Sequence, residues 1–161
     1  MREDEFERLF AEHAEGLLAF LAYRTGDRAL AEDLLADTFE RVLRARRRFD
    51  PRKGSRKTWL YSIALNLLRD QARRREAEGR ALERAREPAP ATGAPLDAVA
   101  ERDQLMRALA ELSEEEREAL ALRFGADLTV PEMAKLTGEK LTTVEGRVYR
   151  GLAKLRDLLP E

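Results

Sequence analysis

Apolar residues recur every three to four positions along most of this chain, the spacing of helices that each bury one face. Phe6, Leu9, Phe10, Leu17, Phe20 and Leu21 predict a first helix over about residues 3–23, stopping near Thr25-Gly26, where glycine serves as C-terminal punctuation. Asp27 is placed to cap a second helix that runs to about Arg48, with Leu30, Leu34, Leu35, Phe39, Val42 and Leu43 as its apolar stripe. Phe49-Asp50-Pro51-Arg52-Lys53-Gly54 reads as a loop, because Pro removes a backbone donor and Gly permits unusual backbone angles. A third helix begins at Ser55 or at Lys57-Thr58 and ends between Arg75 and about Arg84.

Three prolines within residues 87–95 break this periodicity and mark a linker. Fully extended, it would reach roughly 30 Å at about 3.3–3.6 Å per residue. Beyond it the pattern predicts four short helices. The first covers about residues 96–112; the next starts at the capping box Ser113-Glu114-Glu115-Glu116 and ends near Phe124-Gly125. A third starts at Thr129-Val130-Pro131-Glu132, a capping box with proline near the first helical position, and ends at Thr137-Gly138. The last starts at Thr142-Thr143-Val144-Glu145, where Glu145 is placed to close a capping box with Thr142, and runs to about Leu159. The expected architecture is all-α: a helical module over residues 1–84, a Pro/Ala linker over 85–95, and a second module over 96–161. A short helix, a turn holding Gly138 and a longer helix give that second module a helix-turn-helix.

Composition narrows the function. With no cysteine and a single histidine, His13, in 161 residues, disulfide scaffolds, thiolate zinc sites, cysteine nucleophiles and clusters of histidine metal ligands are excluded. Nothing calls for a metal or a cofactor, and the inventory argues against an enzyme. No apolar run approaches the 18 or so residues that span a bilayer, and the opening Met1-Arg2-Glu3-Asp4-Glu5 is no signal peptide, so a soluble, cytoplasmic protein is expected.

The formal net charge of −1 conceals an asymmetry. Residues 1–40 carry 4 basic and 11 acidic side chains, residues 41–84 carry 15 and 5, and residues 85–161 carry 11 and 15. Residues 146–156 nevertheless hold Arg147, Arg150, Lys154 and Arg156 with no acid. Two basic surfaces separated by acidic ones suit a polyanion gripped twice; solvated faces of Arg-rich helices would look the same.

Two constellations carry chemistry. On the last helix, Leu141, Val144, Val148, Leu152 and Leu155 form an apolar side, while Thr143, Arg147, Arg150 and Lys154 form a polar stripe away from it. A helix in a major groove needs long donors on one edge and packing residues behind, although an amphipathic surface helix has the same outline. On the third helix, Leu60, Ala64, Leu67 and Leu68 face one way with Tyr61, Leu65 and Ala72 beside them. Ser62, Asn66, Arg69 and Arg73 line the other side, and Trp59 projects onto that polar sector. A tryptophan among Arg52, Lys53, Arg56 and Lys57 suits stacking on an unpaired base while cations hold the backbone; the alternative is a Trp folded back over the core.

Ala31-Glu32-Asp33-Leu34-Leu35-Ala36-Asp37-Thr38-Phe39-Glu40-Arg41-Val42, followed by Thr58-Trp59-Leu60-Tyr61-Ser62-Ile63-Ala64-Leu65-Asn66-Leu67, resembles conserved region two of the extracytoplasmic-function (ECF) sigma factors. Leu112-Ser113-Glu114-Glu115-Glu116-Arg117-Glu118-Ala119-Leu120, with Glu132-Met133-Ala134 and Thr143-Val144, resembles region four of the same family. The resemblance implies a dissociable specificity subunit of bacterial RNA polymerase. Its second helix would dock on the clamp of the β′ subunit, with Asp33, Asp37, Glu40, Arg41 and Arg44 as exposed candidates. The loop from Phe49 to Ser55 and the start of the third helix would capture a flipped base of the −10 element. Phe49, Arg52, Lys53, Ser55, Arg56, Lys57, Trp59, Asn66, Arg69 and Arg73 are the candidates there. The last helix would read the −35 element as duplex through Thr142, Thr143, Arg147, Arg150 and Lys154. Partners implied are the β′ and β subunits of the core polymerase, promoter DNA and an anti-sigma factor. The chain departs from the family pattern at Glu145-Gly146, where a basic residue and a serine are common, and at Ala36, where glutamine is often seen. Two competing readings are a stand-alone helix-turn-helix regulator, which would bind promoter duplex tightly by itself, and a helical adaptor for an acidic protein, which would show no salt-sensitive DNA affinity.

Overall fold

The structure is a computed structural model that describes residues 1–78 and 96–159, with side chains from residue 100 onward in the second stretch. The expected linker over 85–95, and any extension of the third helix to Arg84, lie outside the described residues. Among these residues there are seven α-helices and no strand. The chain divides into two compact units, Met1–Ala89 and Pro90–Glu161. No described helix is long and apolar enough to cross a membrane.

The first unit is built from α1 (Glu3–Thr25), α2 (Arg28–Ala45) and α3 (Arg56–Ala77). Gly26 ends α1 in the left-handed conformation, at φ 67°, and its N–H returns to the Ala22 carbonyl. Asp27 caps α2 by accepting the Leu30 N–H, and Ser55 caps α3 by accepting the Thr58 N–H. The core closes around Leu17, Leu21, Val42, Leu60 and Leu65, each at most 1% exposed. Edge-to-face aromatic pairs extend it: Phe20 meets Tyr61 at 5.7 Å between centroids, and Phe10 and Phe6 meet Phe39 at 4.9 and 6.2 Å. Burial among these side chains pushes the Tyr61 hydroxyl pKa up to about 12. The expected run of α2 to Arg48 is corrected: the α-helix stops at Ala45 and tightens into a 3-10 turn over Arg46–Arg48. Arg46 bonds its guanidinium to the Leu43 carbonyl, one of the groups left open by that ending.

The second unit contains α4 (Leu96–Ala110), α5 (Glu114–Leu120), a π-helical segment (Ala121–Gly125), α6 (Val130–Thr137) and α7 (Leu141–Leu158). Ser113 and Thr129 close the expected capping boxes with Glu116 and Glu132, and Gly138 ends α6 at φ 72°. The helix expected to reach Gly125 as one piece widens after Leu120, where the Ala126 N–H reaches back five residues to Ala121. Leu122, Leu128 and Met133 are fully enclosed beneath it. A Cβ on Gly151 would stand 3.1 Å from the Leu120 side chain, so α5 and α7 approach as closely as a bare α-carbon allows.

The start of α7 is also corrected. Lys140, not Thr142, occupies the N-cap, the Val144 N–H bonds to the Lys140 carbonyl, and no Thr142–Glu145 capping box forms. The turn after Gly138 brings the chain to helical angles before Thr142 is reached. Four apolar positions assigned to packing stripes are exposed instead: Phe10, Leu43, Ala72 and Leu141. Leu141 is the first residue of its helix, one turn ahead of the first buried position, Val144. Phe10 meets Phe39 edge-to-face and otherwise stays exposed, at 48%.

Candidate nucleic-acid interface

In the first unit, a loop is framed at both ends by short side chains. Asp50 accepts the Arg52 N–H at 3.0 Å while its carbonyl accepts the Lys53 N–H, a local turn that needs no outside support. Ser55 caps α3 and its hydroxyl also pairs with that of Thr58 at 2.9 Å. Between these anchors Phe49 and Trp59 lean together, centroids 5.3 Å apart and planes tilted by 48°. The Arg56 guanidinium stands 5.7 Å from the centre of the Phe49 ring. Trp59 is half-buried: it neither folds into the core nor projects freely, but leans against Phe49. The Ser62 hydroxyl donates to the Trp59 carbonyl at 2.6 Å, fastening the backbone beneath the ring.

A cleft of about 490 Å³ opens between the loop and α1, lined among others by Phe49, Pro51, Ser55, Arg56, His13 and Glu12. Burial, followed by the charge of Lys57, lowers the His13 pKa, which favours neutral imidazole in that wall. Arg52 and Lys53 are exposed at the tip of the loop. Phe49, Ser55, Arg56, Lys57 and Trp59 are thus brought together. Asn66, Arg69 and Arg73 continue as an exposed line down α3, with Arg73 paired to Asp70. At about 1.5 Å per residue, Arg73 lies roughly 20 Å along the helix from Trp59. On α2, Asp33, Asp37, Glu40, Arg41 and Arg44 are all exposed, opposite the buried Ala31, Leu34, Thr38 and Val42. Glu40 and Arg44 pair with each other across one turn.

In the second unit, the proposed reading helix is α7. Thr142 and Thr143 stand exposed on its first turn. The cations behave differently from one another. Arg147 is bound to Glu139 at 2.6–2.7 Å and is only 23% exposed. Lys154 donates to Glu116 at 2.8 Å, and Arg150 lies 4.0 Å from the same carboxylate while remaining 61% exposed. Glu116 is almost fully buried and serves twice, as capping-box acceptor for the Ser113 N–H and as counterion to Lys154. The Lys154 ammonium first, and the Ser113 N–H second, hold its pKa below the usual carboxylate value. The expected open stripe of four polar residues is therefore partly folded down onto neighbouring acids.

Tyr149, 76% exposed on the same helix, was missed by the polar-stripe reading. Its signal was present in the spacing: it follows Thr142 by seven residues and so shares that side of the helix, with Gly146 between them.

The model for sigma-70 region 2 matches residues 9–78, and that for sigma-70 region 4 matches residues 102–155. RNA polymerase sigma factor CarQ of Myxococcus xanthus is 38% identical over 161 residues, covering 99% of this chain and 91% of that protein. ECF RNA polymerase sigma factor RpoE of Cereibacter sphaeroides is 31% identical over 155 residues, covering 96% and 86%. Among solved structures, sigma factor RpoE in complex with the anti-sigma factor NepR from Bartonella quintana is similar with a TM-score of 0.78 at 26% identity, covering 96% of each chain. The loop with its aromatic pair falls inside the region 2 match, and α7 falls inside the region 4 match as far as Leu155, in that order along one chain. This chain belongs to the ECF sigma factors of RNA polymerase.

Proposed function

We propose that this sigma factor, which directs RNA polymerase to its promoters, divides that task between its two units. Residues 1–84 bind the core polymerase and the −10 element, residues 96–161 bind the −35 element, and residues 85–95 connect them. On α2, the exposed set Asp33, Asp37, Glu40, Arg41 and Arg44 presents mostly acidic charge around one helix face, suited to a basic surface on the β′ clamp. On the loop and α3, Phe49 and Trp59 offer π-surface to a base exposed by melting, beside the cleft that borders Phe49. Arg52, Lys53, Ser55, Lys57, Asn66, Arg69 and Arg73 follow the single strand with donors and charge. On α7, Thr142, Thr143 and Arg150 meet the duplex, joined by Tyr149, while Arg147 and Lys154 contribute as their acidic partners allow.

The observation that carries this reading is the Phe49–Trp59 pair, an accessible aromatic platform amid cations at the mouth of a loop. The protein supplies no catalytic group of its own. Strand separation costs a few kcal/mol, which base stacking is of a size to offset. An anti-sigma factor is proposed as its regulator, since the similar RpoE was solved bound to NepR. The cytoplasm is where polymerase, promoter and such a partner would be met.

The test is reconstitution. The purified chain is added to core polymerase, and retention, start-site selection and permanganate-reactive thymines near −10 are measured. Specific initiation with an open bubble is expected; a chain that core polymerase neither retains nor uses to start at a defined site ends the proposal.

A further inference from the structure

We infer that Glu5, on the first turn of α1, is a positioning residue for the Phe49–Trp59 platform, acting through the guanidinium of Arg56. The inference rests on the base-capture reading above. The Glu5 carboxylate lies 3.1 Å from Arg56, with only 18% of its side chain exposed. It is held in place from its own side, because it accepts the Arg2 N–H at 3.1 Å and lies 3.5 Å from the Arg2 guanidinium. Arg56 in turn stands 5.7 Å from the Phe49 ring centre, and Phe49 stands 5.3 Å from Trp59. An acid, a cation and two aromatic rings from three separate stretches of chain thus form one connected row.

Arg56 needs such a partner. It is the first residue of α3, whose first turn contains no acid, and the positive end of a helix dipole disfavours a cation there. Glu5 supplies from α1 the negative charge that α3 lacks. With the guanidinium fixed over Phe49, the ring cannot swing away from Trp59, and the platform is set before DNA arrives. Preorganisation of this kind lowers the ordering cost of binding. It also changes the role of Arg56: its charge is matched within the unit, and it braces the platform rather than gripping a phosphate.

The chain contains one tryptophan, so Trp59 fluorescence reports on the platform alone. Glu5→Gln removes the charge but keeps an acceptor for the Arg2 N–H, since Gln also closes a capping box. Arg56→Lys keeps a charge for Glu5 and loses the planar guanidinium, which gives a second variant should the first fold poorly. In the full-length protein both variants are expected to raise acrylamide quenching of Trp59 at an unchanged thermal midpoint. Combining Glu5→Gln with Arg56→Gln should quench no more than either alone, the signature of coupled residues. In the reconstituted holoenzyme, opening at −10 should fall about twofold to fivefold, the weight of a lost cation–π or ion-pair contact at a partly exposed site, with affinity for core polymerase unchanged. Unchanged quenching in both variants overturns the positioning role. Loss of polymerase affinity in step with a fallen thermal midpoint also overturns it, by showing a purely structural contact. Raised quenching with undiminished opening keeps the positioning role and refutes base capture instead.

Discussion

Trp59 and Glu116 each do more than their immediate surroundings require. Trp59 leans against Phe49 at a 48° tilt and remains partly exposed. Replacing it by alanine removes that surface without opening the buried core of Leu60 and Leu65. Trp59→Ala is therefore expected to weaken promoter opening by about 1–3 kcal/mol, the range of one base–aromatic stack, while core polymerase binding holds; permanganate reactivity and polymerase titration read the two separately. Equal loss of both would refute the stacking role. Glu116 is a carboxylate whose pKa folding depresses, through Lys154 and the Ser113 N–H, with Arg150 the other charge facing it. A depressed carboxyl contributes stability that is fully present above its unfolded pKa and is lost as pH falls through the folded value. Glu116→Gln should thus lower the thermal midpoint at pH 7, and the gap from the natural chain should shrink as the medium is acidified below the ordinary carboxylate range. A gap that stays constant across that acid range would show that the Lys154 contact carries no pH-dependent stability.

Helix α7 carries two glycines whose contexts are opposite. Gly151 is buried against Leu120, with a Cβ at 3.1 Å from two carbons of that side chain, and Leu120 is itself enclosed. Gly151→Val is expected to destabilise the protein by about 1–3 kcal/mol through overpacking. Gly146 faces outward, and its added Cβ would meet only the flexible end of Arg150, at 3.0 Å. Gly146→Ala should therefore raise stability by up to about 1 kcal/mol through helix propensity. Denaturant melts of the two variants check both signs; stabilisation by valine at 151 would show that α5 and α7 are not held as closely as the structure has them.

The elements were legible in the sequence wherever a cap announced them. Asp27, Ser55, Ser113 and Thr129 each hold the backbone N–H that their position implied, and Gly26 and Gly138 end their helices as punctuation suggested. The start of α7 was not legible, because Thr142 has cap chemistry but the chain is already helical at Leu141. The pairing of its cations was hidden for a different reason. Glu139 and Glu116 lie 8 and 38 residues from Arg147 and Lys154, and a wheel drawn on one helix carries no knowledge of what packs beside it. Tyr149 escaped because it lies on the Thr142 side of α7, about 100° or more around the helix from the Thr143, Arg147, Arg150 and Lys154 stripe. Trp59 entered the candidate set from its place on the helix wheel and Phe49 from the family resemblance of its loop, but the Glu5–Arg56 contact beside them comes from α1 and could not be read locally.

At the scale of the molecule, a net charge near zero coexists with regions strong in opposite signs, +10 over residues 41–84 against −7 over residues 1–40. Charge arranged in this way favours a polyanion on one surface and a basic protein on another without making the whole chain indiscriminate. Promoter affinity of the holoenzyme should fall with added salt, each phosphate neutralised contributing a slope of about 0.9 in log–log terms. Arg150→Ala should reduce that slope by about one contact, as expected for a phosphate-directed cation. An unchanged slope and affinity would return Arg150 to the solvated surface.

Glu116 ties the first turn of α5 to the later half of α7, so the beginning of one helix and the reach of another share a single oxygen-bearing group. Under the proposed reading of promoter DNA by α7, that shared fastening limits which of its positions can change. Altering position 154 disturbs a packed junction, whereas positions 142, 143 and 149 stand clear of it. Lineages that acquire new target sequences are therefore expected to diversify at those three outward positions first, leaving the 116–154 fastening as the inherited frame.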